Sequence, residues 1–125
     1  MTREAYTTDK IAVPVGPFSP AVRAGEFVYV SGQVAQDPAT GRLIGGDVAA
    51  QTEQIFENLG AVLNAAGKTF SHVVKASVFL TDMGNFAAMN AVYGRHFEAP
   101  YPARTTVAVA ALPLGAAVEI DFVVR

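Results

Sequence analysis

The chain contains no cysteine and only two histidines, and its charges nearly cancel. Without cysteine there is no disulfide framework, no thiol nucleophile and no thiolate metal site, which agrees with a reducing compartment. His72 and His96 are far apart in sequence, and no His/Asp/Glu spacing of a zinc site occurs, so no metal is expected. Nine basic and eleven acidic residues give a formal net charge of -2. Such a balance supplies no global field to gather nucleic acid or an anionic membrane, and neither is an expected partner. Met1-Thr2-Arg3-Glu4-Ala5-Tyr6 holds no apolar run of signal-peptide length, and charged or turn residues interrupt every later hydrophobic stretch. The reading is a soluble cytoplasmic protein. Ser31-Gly32-Gln33 lacks the G-x-S-x-G context of a nucleophilic serine, and Gly16-Pro17 is no phosphate loop.

What is present fits one domain over residues 1–125, large enough to bury about two thirds of the surface its unfolded chain would expose. A Pro-rich irregular lead, Val13 to Pro20, precedes a strand from Phe27 to Ser31, bounded by Gly25 and Gly32. Asp37-Pro38-Ala39-Thr40-Gly41 marks a turn, with a short strand or loop after it. Asp47 is a good N-cap, and Val48, Ile55, Leu59, Val62 and Ala66 recur at helical spacing until Gly67, which predicts a helix over 48–66. Val73 to Thr81 reads as a strand. Asp82-Met83-Gly84-Asn85 then opens a second helix with apolar positions Phe86, Met89, Tyr93 and Phe97, stopped by Pro100. Two last strands, about 105–110 and 118–124, flank the turn at Leu112-Pro113-Leu114-Gly115.

Four residues invite a chemical reading, and each also has a plain one. Arg104 follows Pro100 and Pro102, which stiffen its approach. Its planar guanidinium is either an ordinary surface cation or a bidentate partner for a carboxylate or phosphate. Asn90 is the polar member of an apolar helical stripe, so a buried amide there either ties down a loop or serves a site. Glu119 and Asp121 share one strand face, roughly 7 Å apart at about 3.3 Å per residue, as an acid and base pair or as a solvated face. The strand 105–110 carries no charge after Arg104 and suggests burial on both faces. Two helices cover only one face of a sheet of five or six strands, which predicts that further copies cover the other.

In order and spacing, Gly16-Pro17-Phe18-Ser19, Tyr29-Val30-Ser31-Gly32-Gln33, the helix bearing Asn90, Tyr101-Pro102-Ala103-Arg104-Thr105 and Val118-Glu119-Ile120 together resemble the RidA/YjgF reactive-intermediate (enamine/imine) deaminase family over nearly the whole chain. The resemblance implies an α+β, chorismate-mutase-like (YjgF-type) fold: a mixed β-sheet with two helices packed on one face, assembled into a homotrimer with clefts between subunits. It further implies hydrolysis of 2-imino or 2-enamino acids to 2-oxo acids and ammonia, without cofactor or metal. On this chain Arg104 would hold the substrate carboxylate and Glu119 would orient the attacking water. Asn90 would fix a loop or touch the ligand, Ser31 and Gly32 would form the cleft wall, and Phe18, Thr105 and Thr106 would line the substrate site.

Two positions depart from the family pattern. Phe18 stands where many members carry a tyrosine, and Thr106 where well-known members often carry a cysteine, so a relay through the hydroxyl and a reactive thiol are both missing. Other readings are a non-catalytic 2-oxo acid binding module and a ribonuclease or chaperone-like role.

Overall fold

The computed structural model describes residues 2–125. Six strands form one mixed sheet: β1 (Glu4–Tyr6), β2 (Ala21–Ala24), β3 (Phe27–Gln33), β4 (Val73–Leu80), β5 (Ala103–Ala108) and β6 (Val118–Val124), in the order β1-β2-β3-β6-β4-β5. Helix α1 (Val48–Ala65) links β3 to β4, and α2 (Phe86–Gly94) links β4 to β5, which pair in parallel. The last strand, β6, inserts between β3 and β4 and is antiparallel to both. The fold is therefore α+β, as expected.

Helix α1 begins and ends where its sequence signals stand. Asp47 is extended and accepts a hydrogen bond from the Ala50 amide at 2.9 Å, satisfying one of the donors left open in the first turn. At the other end Gly67 adopts φ +71°, and the amides of Gly67 and Lys68 donate to the carbonyls of Asn64 and Leu63. This is a Schellman closure, which needs a residue at ease in the left-handed region. Ile55, Phe56, Leu59, Val62 and Leu63 are buried and cover the sheet face that presents Ala76, Val78, Leu80, Ile120 and Phe122.

Helix α2 is shorter than its periodicity predicts, closing at Gly94, where the Arg95 and His96 amides tighten onto the Val92 and Tyr93 carbonyls. Phe97 still reaches the core, 4.8 Å from the Tyr93 ring and 6.0 Å from Phe122 between centroids. Its burial thus follows from packing beyond the helix end, not from helical register.

Three further differences bear on the site. Strand β5 starts two residues earlier than expected, so Arg104 lies inside a strand instead of at its mouth. Because β5 is an edge strand, neither of its faces is fully buried within one chain, so the two-sided burial expected for 105–110 would need the cover of further copies. The irregular lead Val13–Pro20 is flanked by two short strands that the sequence did not announce, β1 before it and β2 after it, and β2 turns into β3 through Gly25 at φ +63°.

Candidate functional site

Strand alternation sorts the candidate residues onto two sides of the sheet. Register pairs Arg104 with Ala76, Thr106 with Val78 and Ala108 with Leu80, so Arg104 and Thr106 share the helix-covered side. Ser77 pairs with both Thr105 and Asp121, and Phe79 with both Val107 and Glu119, which puts Thr105, Glu119 and Asp121 on the opposite, open side. Tyr29, opposite Val123, and Ser31 two residues on occupy that same open side.

Arg104 is held by α2. Its Nη1 donates to Asn90 Oδ1 at 2.8 Å, and its guanidinium carbon lies 4.6 Å from the Tyr93 ring centroid and 5.5 Å from that of Phe86. Phe86, Asn90 and Tyr93 stand at steps of four and three on the helix, so one helical face supplies both aromatic walls and the amide. Asn90 is exposed, which corrects the expectation of a buried amide; its carbonyl nevertheless finds the cation. Tyr93 is buried, and its hydroxyl has no hydrogen-bond partner. Burial raises its pKa, and the positive charge of Arg104, together with the approach of the guanidinium N–H groups to the hydroxyl, offsets part of that rise. No carboxylate among the described residues lies within ion-pair distance of Arg104. The guanidinium is therefore oriented yet lacks an anion.

The second group lies around Glu119. A methyl carbon on Gly32 would sit 2.7 Å from Glu119 Oε2 and 2.8 Å from its Cδ, so the carboxylate rests directly on the glycine backbone. The irregularity in β3–β6 pairing between Val30 and Gln33 brings this backbone into place. Ser31 Oγ donates to the Ser19 carbonyl at 2.6 Å, and the Ser31 amide donates to the Pro20 carbonyl at 2.9 Å. These two bonds tie the loop carrying Phe18 to the same strand. Phe18, Gly32 and Glu119 together line a cavity of about 190 Å³.

Glu119 holds its proton above the ordinary carboxylate range, chiefly because it is half-buried and secondarily because Asp121 lies nearby. Asp121 is raised by burial as well, restrained by Ser77 and by the charge of Lys75. Lys75 Nζ donates to Thr105 Oγ1 at 3.2 Å, so Thr105 belongs to this polar strip and not to the Arg104 pocket. No group of three or more His, Asp or Glu side chains suited to a metal occurs among the described residues, and none of their helices is long and apolar enough to cross a membrane.

One chain thus carries two candidate partial sites. Arg104 and Asn90, with Thr106 beside them, form a cationic one; Phe18, Ser31, Gly32 and Glu119 form an acidic one on the other side. Sequence reasoning overlooked Phe86 and Tyr93 as the walls around Arg104, although their spacing about Asn90 was visible.

The chain is a small α+β domain that presents an oriented arginine on one side of its sheet and, on the other, a half-buried carboxylate set against a glycine backbone. The family model described as "Endoribonuclease L-PSP" matches residues 8–125. Protein DfrA of Myxococcus xanthus is 51% identical over 98% of this chain and 95% of its own length. The 2-iminobutanoate/2-iminopropanoate deaminase of Bos taurus is 42% identical over 98% and 90%. The crystal structure of RidA from the Antarctic bacterium Psychrobacter sp. PAMC 21119 superposes with a TM-score of 0.93 at 46% identity, covering 98% of each chain. The structure of E. coli TdcF with bound serine matches with a TM-score of 0.90 at 36% identity, again over 98% of each. The chain belongs to the RidA/YjgF/L-PSP family, also called the RutC family.

Proposed function

We propose that the protein hydrolyses 2-imino acids and their 2-enamino tautomers to 2-oxo acids and ammonia, at sites formed between copies of the chain in a homotrimer. The observation that carries this reading is the placement of Arg104 and Glu119 on opposite sides of one sheet. Neither partial site can bind and hydrolyse a charged imino acid alone, but the arginine side of one copy set against the open side of another completes both. The open side carries exposed Tyr29 and Val107, 46% and 40% accessible, as expected of a surface that another copy covers. Relatives named 2-iminobutanoate/2-iminopropanoate deaminase and the serine-bound TdcF support a small amino-acid-like ligand.

In this mechanism the guanidinium fork of Arg104 grips the α-carboxylate, and its walls on α2 fix the direction of that grip. Glu119 accepts a proton from water as the oxygen bonds to the imine carbon, and passes it to the nitrogen, which takes up the C=N π pair. In the resulting carbinolamine the freed carboxylate takes the hydroxyl proton as C=O re-forms and delivers it to the amino nitrogen, so that the C–N bond breaks with ammonia as the leaving group. A raised pKa suits Glu119 to this shuttle, since it makes the carboxylate a stronger base than a surface glutamate. The family description names an endoribonuclease, yet a formal net charge of -2 offers little attraction for RNA phosphates.

The test generates imino acids in situ with an amino-acid oxidase and traps unhydrolysed imine with semicarbazide. The protein should lower trapped imine. Arg104→Lys keeps the charge but loses the fork, and should reduce catalytic efficiency about 10- to 100-fold, the worth of one charge-assisted hydrogen bond. Unchanged trapping by the wild type, with measurable 2-oxo acid binding, would make the protein a binding module instead.

A further inference from the structure

We infer that the cavity beside Glu119 is a chamber for an apolar substrate side chain, so that this chain favours imino acids with branched aliphatic or aromatic side chains over 2-iminopropanoate. This rests on the proposed deaminase reading, and the chamber lies in the acidic half of that site.

The cavity has a volume of about 190 Å³, and Val13, Val15, Phe18, Pro113 and Leu114 are among its walls. An apolar cavity of roughly 150 Å³ takes up a benzene-sized molecule, so this space suits a side chain of four to seven carbons. Among the described residues that line it, Glu119 alone is charged. A carboxyl-bearing ligand must therefore direct its charged end elsewhere and its side chain inward.

Two observations set these walls apart from ordinary exposed hydrophobics. Val13, Val15, Phe18 and Leu114 are 82%, 91%, 52% and 57% accessible, and all four border the same cavity. Isolated apolar residues on a surface are common, but a ring of them around one concavity marks a binding surface. Leu114 also adopts φ +61°, ψ 14°, a left-handed conformation uncommon for a residue with a branched side chain. Glycine or asparagine would satisfy that backbone more readily, and the Leu114 side chain gains little burial in return. Contact with an apolar ligand group accounts for a leucine there. Phe18, which lacks a hydroxyl, adds a second apolar wall to the cavity that Glu119 also lines.

The experiment compares catalytic efficiency for imines made from alanine, leucine and phenylalanine in the trapping assay, with each oxidase rate matched. The leucine- and phenylalanine-derived imines should exceed the alanine-derived one at least about tenfold, the discrimination that a hydrophobic pocket gives per methylene at its lower limit. Leu114→Asn suits the left-handed backbone and makes that wall polar. It should shrink the preference at least about threefold with thermal unfolding kept close to wild type. Equal or greater efficiency with the alanine-derived imine overturns the chamber and leaves the deaminase reading standing. If no imine is hydrolysed, the deaminase reading fails, and calorimetric binding of 4-methyl-2-oxopentanoate against pyruvate then decides the chamber. Tighter binding of the larger acid supports it, and equal or weaker binding rejects it.

Discussion

Replacing Gly32 by alanine places a methyl carbon 2.7 Å from Glu119 Oε2 and 2.8 Å from Cδ, with Cγ at 3.1 Å. Ordinary contact requires the carboxylate to retreat by roughly 1 Å, a displacement that can lower a rate by about 100-fold when the displaced group acts on the reacting atoms. The fold itself should tolerate the change. The intruded atoms belong to the end of a flexible side chain, Gly32 is exposed, and its φ lies outside the left-handed range, so alanine meets no backbone penalty. Turning a Glu119 χ angle about 30° away from its rotamer costs about 0.5 to 1.5 kcal/mol. Turnover should therefore drop by about 30- to 100-fold, while the unfolding midpoint changes little. Semicarbazide trapping measures the first and thermal or urea unfolding the second. Wild-type turnover in a Gly32→Ala protein shown crystallographically to have a shifted Glu119 would falsify the role given to this carboxylate. A large loss of stability would instead assign the glycine to the architecture of the sheet.

Asp121→Asn removes the like charge that adds to burial in raising the Glu119 pKa, so the acidic limb of the pH–efficiency profile should move to lower pH. An unmoved limb, with Lys75 and Ser77 still in place, would mean that Asp121 does not influence the catalytic carboxylate. Both carboxyls bind protons more tightly folded than unfolded, so their contribution to stability is lost as pH rises from the ordinary carboxylate range through the raised folded values; urea midpoints should show a shallower decline over that window in Asp121→Asn. Tyr93→Phe deletes a buried hydroxyl that has no partner while keeping the ring against Arg104, and should stabilise by up to about 1 kcal/mol. A destabilisation of that size in urea unfolding would show that the neighbouring Arg104 guanidinium serves as the hydroxyl's partner.

The parts of this fold legible in the sequence are those governed by local chemistry. Asp47 and Gly67 mark the ends of α1 because an N-cap carboxylate and a left-handed glycine are local requirements. Strands β3, β4 and β6 carry enough β-branched and aromatic residues to be read directly. Strands β1 and β2 escaped notice because Glu4–Tyr6 and Ala21–Ala24 are short; β1 owes its extended form to pairing across a long loop, and β2 to its place between β1 and the tight turn into β3. Similarly, the amides of Gln51 and Asn58 are buried in α1, where they bond the Ala117 amide and the Gln36 carbonyl. Nothing local announces these ties, since their partners lie far along the chain. At the candidate site, Arg104, Asn90, Glu119 and Gly32 were singled out by the family resemblance, but the division of Arg104 and Glu119 between two sides of the sheet came from strand register. Sequence alone also could not reveal that Phe86 and Tyr93 flank the arginine, because the contact depends on how α2 lies across β5.

That division leads to a complementation experiment whose outcome does not depend on the details of catalysis. If Arg104 and Glu119 come from different copies, Arg104→Ala and Glu119→Ala should each be inactive alone, yet active when mixed. In a randomly mixed cyclic assembly at equal concentrations, a site receives an intact arginine with probability one half and an intact glutamate with probability one half. About one quarter of wild-type activity should therefore return after the two proteins are unfolded and refolded together. A single-chain site predicts none, because every chain then carries one lesion in its own site. Sedimentation of the mixture would establish that assemblies had formed, so silence in a sample of intact oligomers would place the arginine and the carboxylate in the same protomer's site, against their arrangement on opposite sides of its sheet.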